Sequence, residues 1–226
     1  MPRKPIIAID GPAGAGKSTV TRAFAKHLGL IYLDTGAMYR ALTWWIHYKG
    51  IDSNDEDLIK PLLNNLDLRL FLEDDYKQQV WINGHTVTEV IRSPQITADV
   101  SLVATHRSVR DALTLQQKKV GRQGGLVAEG RDIGTAVFPY ADLKIFLTAT
   151  SRERAHRRAN DLRAQGFDDC DLYELEKQII ERDNIDYSRA IAPLRQSSDA
   201  IVIITDKLSC QQVVQVLVNV FQDQFL

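Results

Sequence analysis

A chain of 226 residues, 44% apolar and 25% charged, suits one large domain or a main domain with a small insert. Its thirteen glycines and seven prolines fall far short of the ~25–30% that marks low-complexity chains. The 28 basic and 29 acidic side chains nearly cancel, which excludes a global field toward nucleic acid or anionic lipid, so any bound anion needs a local cluster. The longest uninterrupted apolar run, 200–204, has five residues against the ~20 of a membrane-spanning helix, and Asp10 ends the first apolar stretch too early for a secretory leader. Cys170 and Cys210 have no CxxC spacing and the five histidines no metal-ligand spacing, so the thiols read as reduced ones in a cytoplasmic protein.

Residues 5–10 form a short apolar run of the kind that makes a strand buried on both faces. A glycine-rich turn follows. Val20, Ala23, Phe24 and Leu28 then mark one face of a helix over 17–28, ended by Gly29, and 31–33 reads as a second buried strand. Ser53 with Glu56 three residues on has the form of a capping box opening a helix. Leu66, Leu68, Leu70 and Leu72 alternate with the period of a strand, and 80–82 and 86–88 flank Asn83-Gly84, a hairpin signal. Together they predict a small antiparallel module over about 60–95. Ser93-Pro94 opens another helix. Residues 126–128, 143–147 and 200–205 are further short apolar strands, and helical patterns cover 151–165, 172–186 and 209–225. Buried strands alternating with helices predict an α/β fold with a parallel sheet covered on both faces. No internal repeat or flexible linker divides 1–226, which reads as a single domain.

The turn after the first strand is Gly11-Pro12-Ala13-Gly14-Ala15-Gly16-Lys17-Ser18-Thr19. It matches GxxxxGK[ST] between a strand and a helix, the context that confirms a phosphate-binding loop. Glycines let consecutive backbone N–H groups curl around phosphate, and the helix N-terminus adds a favourable dipole. Lys17 is placed to reach the β- and γ-phosphates and the Ser18 hydroxyl to ligate Mg²⁺. A GTPase needs an Asn/Thr-Lys-x-Asp guanine reader after a late strand, and 204–208 supplies none. A helicase or transporter ATPase needs more chain.

Arginine recurs beside special turns. Asp34-Thr35-Gly36-Ala37-Met38-Tyr39-Arg40 follows the second strand and Glu129-Gly130-Arg131-Asp132 ends another, which puts both at the C-terminal sheet edge near the phosphate loop. Arg154, Arg157 and Arg158 share one helical face, and Arg182, Asp186 and Arg189 share another if that helix continues. Arg-rich helix faces and i,i+4 pairs are also what solvated surfaces carry. Next to a phosphate loop, the clusters favour two phosphate-bearing substrates with guanidinium groups neutralising the charge where they meet.

The phosphate loop, 33–40, Glu129-Gly130-Arg131-Asp132-Ile133-Gly134-Thr135 with Val137-Phe138-Pro139, Arg154-Ala155-His156-Arg157-Arg158 and Arg189-Ala190-Ile191-Ala192-Pro193-Leu194 occur in that order. From residue 6 to the C-terminus the chain resembles the bacterial cytidylate kinases, a family of nucleoside monophosphate kinases. The resemblance implies transfer of the ATP γ-phosphoryl to CMP or dCMP, giving ADP and CDP or dCDP, with Mg²⁺. It implies a P-loop kinase core with a parallel sheet flanked by helices, an acceptor-binding region and antiparallel insert over about 35–105, and a helical lid over about 150–168. Gly11, Pro12, Ala13, Gly14, Ala15, Gly16, Lys17, Ser18 and Thr19 would cradle ATP, with Ser18 on the metal and Arg154, Arg157 and Arg158 on the closing lid. Arg40, Arg131 and Arg189 would grip the acceptor phosphate. Arg110, Asp132 and Ser101 would read cytosine with Thr35 nearby, and Arg182 and Asp186 would hold the ribose. Lys17, Arg131, Arg157 and Arg189 would carry the catalysis. The protein would act as a cytoplasmic monomer on small molecules, with neither nucleic acid nor membrane as partner. Thr35 and Glu129 stand where other members have Ser and Asp. An acceptor phosphate has a second pKa of ~6, so no general base is required, in keeping with the lack of a catalytic His or carboxylate dyad. The alternatives are another small-molecule P-loop kinase, acting on shikimate, thymidylate or adenylate, and a non-enzymatic ATP- or GTP-binding switch.

Overall fold

The computed structural model describes residues 4–164, 166 and 170–225. Strands β1 (Lys4–Asp10), β2 (Ile31–Asp34), β6 (Gly124–Gly130), β7 (Leu143–Thr148) and β8 (Ile201–Ile204) form a five-stranded sheet of order β2-β6-β1-β7-β8. Every pairing in it is parallel. The reason β1 is apolar without alternation is visible in where its side chains go. Ile6 and Ala8 enter one core with Leu33, Leu42, Leu113 and Leu126, whereas Ile7 and Ile9 enter the opposite one with Val20, Phe24, Leu147 and Leu217.

Helix α1 (Lys17–Leu28) and α8 (Cys210–Phe225) cover the second of these faces, with Phe24 and Phe221 edge-to-face at 6.3 Å between ring centroids. Helices α2 (Thr35–Tyr48), α4 (Pro94–Val103) and α5 (Arg107–Val120) cover the first through Leu42, Ile46, Val100, Val103, Val109 and Leu113. Between α2 and α4 lie α3 (Glu56–Leu63) and the antiparallel strands β3 (Leu68–Leu72), β4 (Gln78–Ile82) and β5 (His85–Thr86), in sheet order β3-β4-β5. Ile82 pairs with His85, leaving a two-residue turn in which Asn83 and Gly84 both have positive φ, 45° and 90°. That is the turn the Asn-Gly pair predicts. Val80, Ile82 and Val87 pack this module onto Ala37, Ala41 and Trp45. The Gln78 side chain also accepts from Asp34 N (3.1 Å) and donates to Tyr32 O (3.2 Å), occupying the open edge of β2 as a strand would.

Four expectations need correction. The box over Ser53 and Glu56 does not form: Asp55 caps α3 by accepting from Leu58 N, and Glu56 instead accepts from Ser108 N on α5 at 2.8 Å. Leu66 precedes the strand, which starts at Leu68. β8 is an edge strand: Ile203 is buried, but Val202 and Ile204 on its other face are 44% and 64% exposed. Helix α7 (Leu172–Ser188) runs past 186 but stops before Arg189, which leaves it with φ −59° and ψ 139°. Helix α6 spans Ser151–Ala164, and the expected continuation through 165 and the lid positions 167 and 168 lie outside the described residues. Among the described residues no helix is long and apolar enough to cross a membrane.

Candidate active site

The order of the strands reverses direction at β1, and the C-terminal ends of β1, β6 and β2 open at that switch point, where α/β sheets bind ligands. The phosphate loop leaves β1 through Gly11, whose φ is 151° and where a Cβ would overlap the Leu147 carbonyl oxygen on β7. Only glycine lets the loop turn that close to the sheet. The loop delivers Lys17 to the first turn of α1, buried, with Nζ donating to Pro12 O at 2.6 Å. Burial, reinforced by the nearby Arg131 guanidinium, lowers the Lys17 pKa well below that of an ordinary lysine, against the opposing pull of Glu129 and Asp10.

Both carboxylates are buried at strand ends. Asp10 accepts from Ile133 N and Gly134 N, each at 2.7 Å. Burial outweighs those two bonds and raises its pKa to about 6. The amides it holds open the π-helical segment Ile133–Val137, which follows directly on Arg131 and Asp132. Glu129 accepts from the Tyr32 hydroxyl and from Ser18, and burial, then Asp34, push its pKa up. Thr35 Oγ1 donates to the Glu129 carbonyl at 2.7 Å, tying the start of α2 to the end of β6.

Beside this lies a lattice of buried ion pairs. Arg131 Nε donates to Asp186 Oδ2 at 2.8 Å. Arg189 spans 3.6 Å to Asp186 and 3.3 Å to Asp132, and Arg110 donates to Asp132 as well. Arg110 also sits over the Tyr39 ring at 5.6 Å. Arg182 Nε donates to Ser101 Oγ at 3.2 Å, and Arg40 Nη1 donates to Thr97 Oγ1 at 2.8 Å and to Ile91 O at 3.3 Å. Burial holds the Asp186 carboxyl up, but Arg131, Arg182 and Arg189 outweigh it and leave the pKa lowered. Arg40 and Arg182 go the other way: burial, then neighbouring guanidinium groups, lower them to about 9 and about 10. Burial is the larger cause and the neighbouring cations the smaller, and neither arginine has a carboxylate within hydrogen-bond distance among the described residues, a setting that suits an anion.

Of the three α6 arginines that share one helical face, Arg154, Arg157 and Arg158, the first two face the phosphate loop. Arg154 Nη1 donates to Ala13 O at 3.0 Å, and Arg157 donates to Ala15 O (3.3 Å), Thr205 Oγ1 (2.9 Å) and Thr205 O (2.6 Å). A solvated face, the plain alternative for this helix, does not describe them. Arg158 is half-buried and near enough to Arg182 to lower it. Arg189 reaches Asp186 and Asp132 from the extended residue that follows α7, not from the shared helical face that its spacing with Arg182 and Asp186 predicts. Asp10, Arg92, Thr97, Asp183 and Thr205 also belong to this surround and were not singled out from sequence; Arg92 lies 3.7 Å from Asp34, and Asp183 pairs with Arg154 at 2.6 Å. Asp10 had a signal, its place directly before the loop. Thr97 and Thr205 had none.

A sequence profile of the family described as cytidylate kinase matches residues 7–223. A protein of Prochlorococcus marinus (strain MIT 9303) named "Bifunctional pantoate ligase/cytidylate kinase" is 58% identical over 224 residues, 99% of this chain and 46% of its own length. One of the same name from Synechococcus sp. (strain CC9605) is also 58% identical over 224 residues, 99% of this chain and 47% of its own. The chain thus spans under half the length of these relatives. Among solved structures, shikimate kinase from Acinetobacter baumannii in complex with shikimate superposes with a TM-score of 0.47 at 16% identity, covering 99% of this chain and 96% of that one.

The lowered pKa of Lys17 makes a prediction about protons. A polyphosphate in the loop restores the ammonium, so binding takes up protons wherever the side chain is otherwise partly neutral. Calorimetric titration of ATP near pH 8, in buffers of different ionisation enthalpy, should give net uptake that Lys17→Ala abolishes. Equal uptake in both proteins would contradict this placement of Lys17.

Proposed function

The chain belongs to the cytidylate kinase family, and we propose that it transfers the γ-phosphoryl group of ATP to CMP or dCMP, giving ADP and CDP or dCDP. The observation that carries this reading is the meeting of two differently built cationic regions at one point. Lys17 in the phosphate loop and Arg131 in the ion-pair lattice are close enough for one charge to depress the other. A donor triphosphate on the loop, under Arg154 and Arg157, and an acceptor phosphate among Arg40, Arg131 and Arg189 would bring nucleophile and electrophile together there. Phosphoryl transfer has little covalent chemistry for a protein to perform, so positioning and charge neutralisation carry the rate. The acceptor oxygen forms the new bond to the γ-phosphorus as the bond to the β-bridging oxygen breaks, and Lys17 with the surrounding guanidinium groups takes up the charge that spreads over the transferring oxygens.

The Ser18 hydroxyl, hydrogen-bonded to Glu129 behind it, offers the hard oxygen donors that suit Mg²⁺. Among the described residues no group of three or more His, Cys, Asp or Glu could hold a metal; at Ser18, phosphates and water would supply most of the coordination. A magnesium ion held there by Ser18 and the donor phosphates would neutralise phosphate charge.

Base choice falls to Asp132. Its carboxylate already accepts from Arg110 and Arg189, and about four lone-pair sites leave room for a further donor. The cytosine N4 amino group is such a donor, and Arg110 is beside it to donate toward N3 or O2. Uracil, with O4 as acceptor and N3–H as donor, would be mispaired on both sides. Arg182 with Ser101, and Asp186, would hold the ribose.

Coupled detection of ADP across the nucleoside monophosphates tests the reading. CMP and dCMP should be phosphorylated far faster than AMP, GMP or shikimate, and an absence of ADP formation with CMP would sink the assignment. For Asp132→Asn, the CMP/UMP ratio of kcat/KM should narrow by about tenfold, ~1.4 kcal/mol. If Asp132 serves only to orient the arginines, CMP and UMP efficiencies fall in parallel and the ratio stays fixed.

A further inference from the structure

Helix α7 carries Arg182, Asp183 and Asp186 within little more than one turn. Arg182 and Asp186 turn toward the acceptor lattice. Asp183 turns the other way, to α6, where its Oδ2 accepts from Arg154 Nη2 at 2.6 Å; the side chains are only 12% and 6% exposed. Arg154 is in turn fixed by the loop, through Ala13 O at 3.0 Å, and by the residue just after β7, through Ala149 O at 3.1 Å. The second oxygen of Asp183 is buried and has no hydrogen-bond partner among the described residues. An orphaned oxygen on a buried carboxylate is costly, and such groups call for a functional explanation.

The surroundings of that carboxylate supply one. Asp183 follows Arg182 directly and lies one turn before Asp186, which holds Arg131 at 2.8 Å. One short stretch of helix is therefore tied both to the arginine over the donor loop and to the arginines proposed for the acceptor. We propose that Asp183 is a positioning residue that couples the two substrate sites, holding Arg154 over the phosphate loop more firmly once the acceptor's phosphate has engaged Arg131 and its ribose Arg182. Those contacts fix α7 through Asp186 and Arg182, and Asp183, between them on the same helix, passes that constraint to Arg154, where donor phosphates would lie. Reciprocity requires the donor to tighten the acceptor by the same factor. This inference rests on the proposed function, since it needs both nucleotides to bind.

The test is the coupling itself, read by calorimetry with a non-hydrolysable ATP analogue and Mg²⁺, with and without saturating CMP. In the unaltered chain, CMP should tighten the analogue by about fivefold or more, within the range usual for coupled sites. In Asp183→Asn, each ligand alone should bind within about threefold of the unaltered chain, while the coupling falls below about twofold and kcat drops about tenfold with little change in the KM for CMP. Arg154→Lys, which keeps a charge but loses the planar fork and leaves the buried carboxylate in place, should lose coupling to the same extent. The double variant should lose no more than either single one. Coupling in Asp183→Asn equal to that of the unaltered chain, single effects that multiply in the double variant, or no coupling in an unaltered chain that does turn over would each overturn the proposal. An unaltered chain that makes no ADP from CMP overturns the functional reading and this proposal with it.

Discussion

Two buried carboxylates, Asp132 and Asp186, hold three arginines, Arg110, Arg131 and Arg189, at the C-terminal edge of the sheet, and the geometry of the site depends on that arrangement. Taking these charges out of water is expensive, and attraction between them offsets the cost only when the hydrogen bonds are well placed. Breaking one pair by removing a partner typically costs ~3–5 kcal/mol, so the lattice is rigid by necessity. Three guanidinium groups against two carboxylates leave it net positive, and the adjoining Arg40 and Arg182 add to the surplus. Such a surplus fits the anionic acceptor proposed above: the donors are already oriented, and little ordering would remain to be done when it arrives.

The rest of the chain holds this lattice against the phosphate loop. Asp10 ends β1 and grips the two amides that follow Arg131 and Asp132, while the next residue, Gly11, starts the loop. One strand end therefore fixes both regions at once. On the far side, Gln78 bonds the backbone of β2 and so holds the antiparallel module near the start of α2, which carries Thr35 and Arg40. From the other flank, α6 sets Arg154 and Arg157 on the loop carbonyls. Mobility in a site of this kind would have to come from movement of such elements as units, since Arg110, Arg131, Arg154 and Arg189 are each tied to backbone as well as to a charge partner.

What could be read from sequence was what is local. The phosphate loop is contiguous, and its glycines and lysine have meaning at fixed spacing. The two-sided apolar run of β1 and the Asn83-Gly84 turn are set by the backbone within a few residues. Where a side chain answers to a distant partner, local pattern misled or was silent. Glu56 abandons a capping role for an amide 52 residues away, and the open face of β8 follows from its place in the sheet rather than from its composition. Arg110 and Asp132 are 22 residues apart, Arg189 and Asp132 57; their grouping came from family resemblance because no periodicity links such positions. Asp183 stood next to a residue already singled out, yet nothing in its spacing separates a carboxylate that faces α6 from one that faces solvent.

If the proposed reading holds, the ion-pair lattice exists before the acceptor binds and reads it without being dismantled. A crystal structure of the protein with CMP bound decides this. Asp132 should keep both Arg110 and Arg189 within hydrogen-bond distance while accepting from cytosine N4, Arg131 should stay on Asp186, and the CMP phosphate should lie among Arg40, Arg131 and Arg189. A complex in which Arg110 and Arg189 have swung away from Asp132, or in which the phosphate sits clear of those three arginines, would contradict it.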